Sequence, residues 1–104
     1  MERRSEMFEV DEKLESILIC AVRYAIGRRT YMVGEVTGFI NPLIPRLSNN
    51  ALYVIRNEIT DAETYKNLGD EKIDAPLWLM LRLRMVNELK KRGCETAKRK
   101  GFYD

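Results

Sequence analysis

The sequence of 104 residues contains no histidine, and this absence excludes several classes of chemistry. Ser-His-Asp and Cys-His nucleophilic pairs, imidazole metal ligands and imidazole-based pH switches all require that side chain. The two cysteines, Cys20 and Cys94, lack the Cys-x-x-Cys spacing of zinc and redox sites. We therefore expect no catalytic residue, no metal site, no cofactor and no enzymatic activity, and we expect two free thiols in a reducing compartment.

Long apolar runs are also missing. No run approaches the roughly 20 residues that span a bilayer. The first six residues, Met1-Glu-Arg-Arg-Ser-Glu, carry charges where a signal peptide requires apolar residues. We expect a cytoplasmic protein that does not contact a membrane, with a length that suits one domain.

The net charge of +2 is small, but the charges are segregated along the chain. Residues 1–15 hold three basic and six acidic groups, and residues 16–60 hold five and two. Residues 61–81 hold two basic and five acidic groups, whereas residues 82–104 hold eight and three. Arginine outnumbers lysine by 11 to 7. Because the guanidinium group forms paired hydrogen bonds with phosphates and carboxylates, this composition favours an anionic partner.

The spacing of apolar residues predicts an all-α fold, a compact bundle of about four helices. The first helix should follow the N-cap Asp11 and end near Gly27. The second should follow a cap at Thr30 and stop at Asn41-Pro42, because helices rarely continue through the residue before proline. The residues expected to face the core from the first helix are Leu14, Ile17, Leu18, Ala21, Val22 and Ala25.

Two further helices complete the predicted bundle. The third opens at Ser48 and can extend weakly as far as Gly69. The fourth is predicted from the N-cap Asp74 and the first-turn residue Pro76, and it ends at Arg92. The helical domain thus covers residues 11–93, with a flexible N-terminus at residues 1–10 and a basic tail at residues 94–104.

Two local features predict close packing. Gly34 and Gly38 lie one turn apart and cost the second helix roughly 2 kcal/mol relative to alanine, so we expect a close helix approach there, the alternative being an irregular helix. The consecutive Trp78-Leu79-Met80-Leu81 gives the fourth helix apolar side chains nearly all round. This pattern indicates either central burial or a second apolar face against another copy, and we expect a homo-oligomer.

The junction between the first two predicted helices is rich in arginine and tyrosine and also contains a threonine. A helix N-terminus beside guanidinium groups can hold a phosphate, and a tyrosine ring can stack on a base. The residues predicted to bind such a ligand are Arg23, Tyr24, Arg28, Arg29, Thr30 and Tyr31. Alternatively, Arg28 and Arg29 only stabilise the C-terminal end of the first helix and Thr30 is only a cap.

Other basic residues have two interpretations. Arg82 and Arg84 are possible additional ligand-binding residues, the alternative being solvated side chains or partners of surface ion pairs. The basic residues at 90–92 and 98–100 are either a solvated run or a source of weak attraction for nucleic acid. The sequence pI of about 8.6 is low for a dedicated DNA-binding domain.

The block Ala21-Val22-Arg23-Tyr24-Ala25-Ile26-Gly27-Arg28-Arg29-Thr30-Tyr31 resembles a family of small proteins encoded by bacteriophages and prophages. Leu47-Ser48-Asn49-Asn50-Ala51 and Ile55-Arg56-Asn57-Glu58-Ile59 are similar to later motifs of that family, and the likeness covers roughly residues 16–90. The resemblance implies a phage origin and an accessory role in the host bacterial cytoplasm. Small oligomeric phage proteins with arginine-lined pockets include those that sequester nucleotide signals of bacterial defence systems.

The leading hypothesis is therefore a non-enzymatic protein that sequesters a small phosphorylated nucleotide, such as a cyclic nucleotide or an ADP-ribose derivative. One alternative is a protein inhibitor of a host defence or replication protein, which would use the apolar face around Trp78 and Met80. A second alternative is a small DNA- or RNA-binding regulator that contacts the backbone through the junction of the first two helices.

Overall fold

A computed structural model describes residues 10–28 and 31–94, which form four α-helices and one 3₁₀ helix, with no strand among these residues. Helix α1 spans Glu12–Ala25, α2 spans Tyr31–Ile40, α3 spans Asn49–Thr64 and α4 spans Asp74–Lys91. The 3₁₀ helix, Asn41–Arg46, follows α2 directly. The predicted all-α fold of about four helices is confirmed.

Helix α1 begins as the sequence predicts. The Asp11 carboxylate accepts a hydrogen bond from the Leu14 backbone N–H at 2.9 Å, which satisfies one of the free amides of the first turn. The buried face is formed by Leu18, Val22 and Ala25. The inward orientation predicted for Ile17 is wrong, because that side chain is 61% exposed. The apolar face of α1 is therefore narrower than its pattern indicated.

Helix α2 ends where the sequence predicts, but no other helix packs closely against its two glycines in the described residues. The α-helix stops at Ile40 and continues as a 3₁₀ helix that contains Pro42 and Pro45. Gly34 and Gly38 are exposed in a regular helix, and a Cβ added at either would meet no other element of the described residues within 4 Å. The prediction that a helix packs closely against them is wrong.

The start of α3 is fixed by a contact with α1. The Ser48 hydroxyl accepts from the Ala51 N–H at 3.1 Å, which makes Ser48 the predicted cap. Glu15 of α1 accepts hydrogen bonds from the Ser48 N–H at 2.7 Å and from its hydroxyl at 2.8 Å. The helix ends at Thr64, earlier than its possible extension to Gly69, and Lys66 adopts a left-handed backbone with φ 54°.

Helix α4 begins differently from the prediction. Asp74 is the first helical residue and is fully buried, and the preceding Ile73 occupies the cap position without a side-chain hydrogen bond. The Asp70 carboxylate instead accepts from the N–H groups of Lys72 and Ile73. Asp74 accepts from the Asp70 N–H at 2.9 Å, so its side chain secures the preceding turn rather than capping the helix.

Helix α4 lies against α2, α3 and the 3₁₀ helix, while α1 lies against α2 and α3. Trp78, Leu81, Met85 and Leu89 on its inner face are fully buried. Val10 and Cys94, at the edges of the described chain, pack against the same core. The remaining residues of the predicted N-terminus and basic tail lie outside the described residues.

Arg92 joins the C-terminal end of α4 to the start of α3. Its guanidinium group donates to Glu88 at 2.9 Å, to Asn49 at 2.7 Å and to the backbone oxygen of Pro45 at 3.1 Å. A carbonyl at the end of the 3₁₀ helix is thereby satisfied by a side chain that is distant in sequence. This contact fixes the 3₁₀ segment against α4.

Candidate functional site

Helix α1 is followed by a turn in which Gly27 adopts a left-handed backbone with φ 88°. The Ile26 N–H donates to Val22 and the Arg28 N–H donates to Ala25 at 3.0 Å, so carbonyls of the last turn are satisfied. A Cβ at position 27 would lie 2.9 Å from Oδ1 of Asn67. Backbone conformation and close approach to the segment after α3 both require glycine here.

Tyr24 and Arg28 form a stacked pair at this helix end. The Arg28 guanidinium lies 4.3 Å from the centroid of the Tyr24 ring, and its Nε donates to the Tyr24 carbonyl oxygen at 2.9 Å. Both side chains are exposed, and Tyr24 retains 57% of its accessible surface. The terminal nitrogens of Arg28 have no partner among the described residues. The pair therefore stabilises the helix end and still leaves donors for an anion.

Arg23 makes a separate contact with α3. The Arg23 Nε donates to the Glu58 carboxylate of α3 at 2.7 Å, in an ion pair whose side chains are 56% and 30% exposed. Arg23 is thus engaged by an acidic group of the protein itself.

Arg23 and Glu58 border a shallow groove of about 300 Å³ between the ends of α1 and α3. Asp61 adds a second carboxylate, so the groove carries more negative than positive charge. It is a poor site for a phosphate for that reason. The residues that line it are Arg23, Ile26, Glu58, Asp61, Ala62, Tyr65 and Asn67.

Three members of the predicted site are not placed by the structure. Arg29 and Thr30 lie outside the described residues, as does the side chain of Tyr31. Helix α2 begins at Tyr31, and the backbone amides of its first turn thus follow the arginine-rich block directly. Of the six predicted residues, the structure brings together Tyr24 and Arg28.

Arg82 and Arg84 lie on different faces of α4. The Arg82 guanidinium donates to the Glu63 carboxylate at 2.8 Å and to the Thr60 hydroxyl at 3.1 Å, both on α3. Arg82 is therefore a partner in an ion pair, which is the alternative to ligand binding that the sequence left open. Arg84 is exposed and has no partner among the described residues.

The apolar surface of α4 differs from the predicted one. Trp78 is fully buried and cannot form part of a contact surface. Exposed apolar side chains instead form a row along the opposite side of the helix, consisting of Ile73, Leu77, Met80 and Leu83. The consecutive apolar residues indicated two apolar faces, but only their packing shows which residues each face contains.

No group of three or more acidic or cysteine side chains in the described residues could hold a metal ion. The described helices also include none with the length and hydropathy of a membrane-spanning segment. No protein-family model, curated protein or solved structure matches the chain.

Proposed function

We propose that the protein binds a small phosphorylated nucleotide at the Tyr24–Arg28 pair and sequesters it without turnover. The observation that carries the proposal is the exposed guanidinium stacked on an exposed ring, with terminal nitrogens free of partners in the described chain. A guanidinium group binds phosphate oxygens in pairs, and a tyrosine ring offers a face for a base.

The sequence that follows Arg28 adds one more positive charge and further hydrogen-bond donors. Arg29 and Thr30 follow Arg28 in sequence, and the first-turn amides of the ten-residue helix α2 come next. Guanidinium groups and free backbone amides are both suited to a phosphate that bears more than one negative charge. We assign no ligand contact to Arg23, because it pairs with Glu58 of α3.

The resemblance to phage-encoded proteins favours a role against a bacterial defence signal, either a cyclic nucleotide or an ADP-ribose derivative. Sequestration requires tight binding and slow release, and it requires no catalytic group. Tight binding at an exposed pair needs further contacts, which Arg29, Tyr31 or a second copy of the chain would supply. Whether two copies share one ligand would appear directly in the stoichiometry of the complex.

The test is native mass spectrometry and calorimetry with a panel of cyclic dinucleotides, cyclic mononucleotides and ADP-ribose. We expect one member of the panel to bind, and Arg28→Ala to weaken its binding at least tenfold. Lys13→Ala is a matched control, because it removes one exposed positive charge from the same helix at its other end. The affinity of Lys13→Ala for the nucleotide should equal that of the unmodified protein.

Two results would refute the proposal. The first is an absence of binding to every nucleotide of the panel at millimolar concentration. The second is unchanged affinity in Arg28→Ala. If the protein binds no nucleotide of the panel but retards DNA or RNA in a salt-dependent manner, the result would favour a nucleic-acid-binding regulator instead.

A further inference from the structure

The side of α4 that faces away from the core carries aliphatic residues without any covering element in the described chain. Ile73, Leu77, Met80 and Leu83 are 63%, 39%, 47% and 50% exposed. They recur at intervals of three and four residues and thus share one side of the helix. We call this side, together with its neighbouring cations, the outer face of α4.

Positive charges surround the aliphatic row. Lys72 precedes it, and Arg84, Lys90 and Lys91 follow it toward the C-terminal end of the helix. All four side chains are exposed, and none has an ion-pair partner among the described residues. The one carboxylate of this part of α4, Glu88, is mostly buried and is paired with Arg92 at 2.9 Å. The exposed Glu71 balances the neighbouring Lys72, so the outer face is apolar and, toward its C-terminal end, cationic.

A second copy of the chain does not complement this surface. In an antiparallel pairing of two α4 helices centred on the aliphatic row, Arg84 of one copy approaches both Glu71 and Lys72 of the other, whose charges cancel. In a parallel pairing, each cation lies beside its own counterpart. Neither arrangement brings a carboxylate of α4 to Lys90 and Lys91, so a second copy leaves these two charges without complement.

A lipid surface also complements it poorly. Arg84 and Lys91 lie four and eleven residues after Met80 and thus project in nearly the same direction as that side chain. Burying the aliphatic row in a bilayer would carry these cations toward the hydrocarbon. The row also lacks the tryptophan or phenylalanine side chains that are typical of interfacial helices.

We propose that the outer face of α4 binds an amphipathic segment of another protein, in which a cluster of apolar residues is followed by carboxylates. The aliphatic row would hold the apolar residues. Lys90 and Lys91, about 15 Å further along the helix axis from Met80, would pair with the carboxylates. This site is separate from the Tyr24–Arg28 pair and does not depend on nucleotide binding.

The experiment is a display selection in which a library of random 18-residue peptides is enriched on the intact protein. We expect enriched peptides to combine an apolar cluster with two or more carboxylates on one side of it. Binding of a synthetic peptide from this set should weaken at least tenfold in Leu77→Ser/Met80→Ser and in Lys90→Glu/Lys91→Glu. It should also weaken as the salt concentration rises.

Two control variants separate this surface from general effects of charge and hydrophobicity. Ile17→Ser removes an exposed aliphatic side chain from α1, and Lys13→Glu reverses an exposed charge on that helix. Both should bind the peptide as the unmodified protein does. Circular dichroism of each variant establishes that the helical fold is retained.

Four results would overturn the proposal. They are a selection that enriches no peptide, enriched peptides without carboxylates, unchanged affinity in both double variants, and equal losses in the controls. Sedimentation with phosphatidylglycerol vesicles that is lost in Leu77→Ser/Met80→Ser would assign the face to a membrane. A dimer in ultracentrifugation that is lost in the same variant would assign it to a second copy.

Discussion

Replacing Gly34 and Gly38 with alanine should stabilise the protein, because no contact within the part of the chain that the structure describes requires glycine at either position. Both lie inside α2 with ordinary helical backbones, and the space that a Cβ would occupy is open to at least 4 Å. A new methyl group therefore meets no atom and fills no cavity. The expected gain is the difference in helix propensity alone, about 1 kcal/mol per site and about 2 kcal/mol for the pair.

The assay is urea unfolding followed by circular dichroism at 222 nm, with thermal unfolding as a second measurement. For a domain of this size, a gain of about 2 kcal/mol raises the melting temperature by roughly 8–16 °C. The midpoint should move without a change in the dependence on urea, because the surface exposed on unfolding is nearly the same.

Two other glycines provide controls of opposite sign. Gly93 has φ 84° and open space around a Cβ, so Gly93→Ala should destabilise by about 1 kcal/mol through backbone strain alone. Gly69 has φ 95°, and a Cβ there would lie 2.7 Å from Oδ2 of the buried Asp74. Gly69→Ala should therefore be the more damaging of the two. A Gly34→Ala/Gly38→Ala protein no more stable than the original would refute the reasoning and indicate that this side of α2 is covered.

Three further predictions concern contacts between elements, each checked by urea unfolding. Glu15→Ala removes both acceptors of Ser48 and should cost about 1–2 kcal/mol; an unchanged midpoint would show that the cap does not need α1. Arg92→Ala breaks the link from α4 to the 3₁₀ helix and should cost about 2 kcal/mol, whereas a neutral result would make that link dispensable. Ile17→Ser should change stability by less than about 0.5 kcal/mol while Leu18→Ala costs at least about 2 kcal/mol, and similar losses would contradict the assigned burial.

Most helix boundaries could be predicted because they depend on local chemistry. Asp11 and Ser48 accept hydrogen bonds from amides three residues ahead, which are contacts within a single turn, although Glu15 of α1 also accepts hydrogen bonds from Ser48. Gly27 and Gly93 end helices through a backbone conformation that glycine adopts at little cost. The predicted cap of α4 was wrong because Asp74, two residues before Pro76, has the sequence pattern of an N-cap. Its burial against Gly69 depends on the tertiary fold, which that pattern does not show.

The sequence could predict which residue types the candidate site contains, but it could not predict which of these side chains lie together. The density of arginine and tyrosine identified the junction after α1, and the Tyr24–Arg28 stack is a local contact between residues four positions apart at the end of that helix. The partner of Arg23 lies 35 residues away and that of Arg82 lies 19 residues away. Sequence spacing carries no information on such pairs, so it could not separate engaged arginines from free ones.

The sequence by itself determined that the chain is helical, where most helices begin and end, and that histidine chemistry is excluded, because these properties follow from local propensity and from composition. Tertiary structure alone decided which apolar residues are buried and which charges are neutralised, because both depend on how the helices pack. Trp78 is fully buried in the core, whereas Met80, two residues later, faces outward. The same packing paired Arg23 and Arg82 with carboxylates of α3, whereas Arg28 and Arg84 retain donors without a partner among residues 10–28 and 31–94.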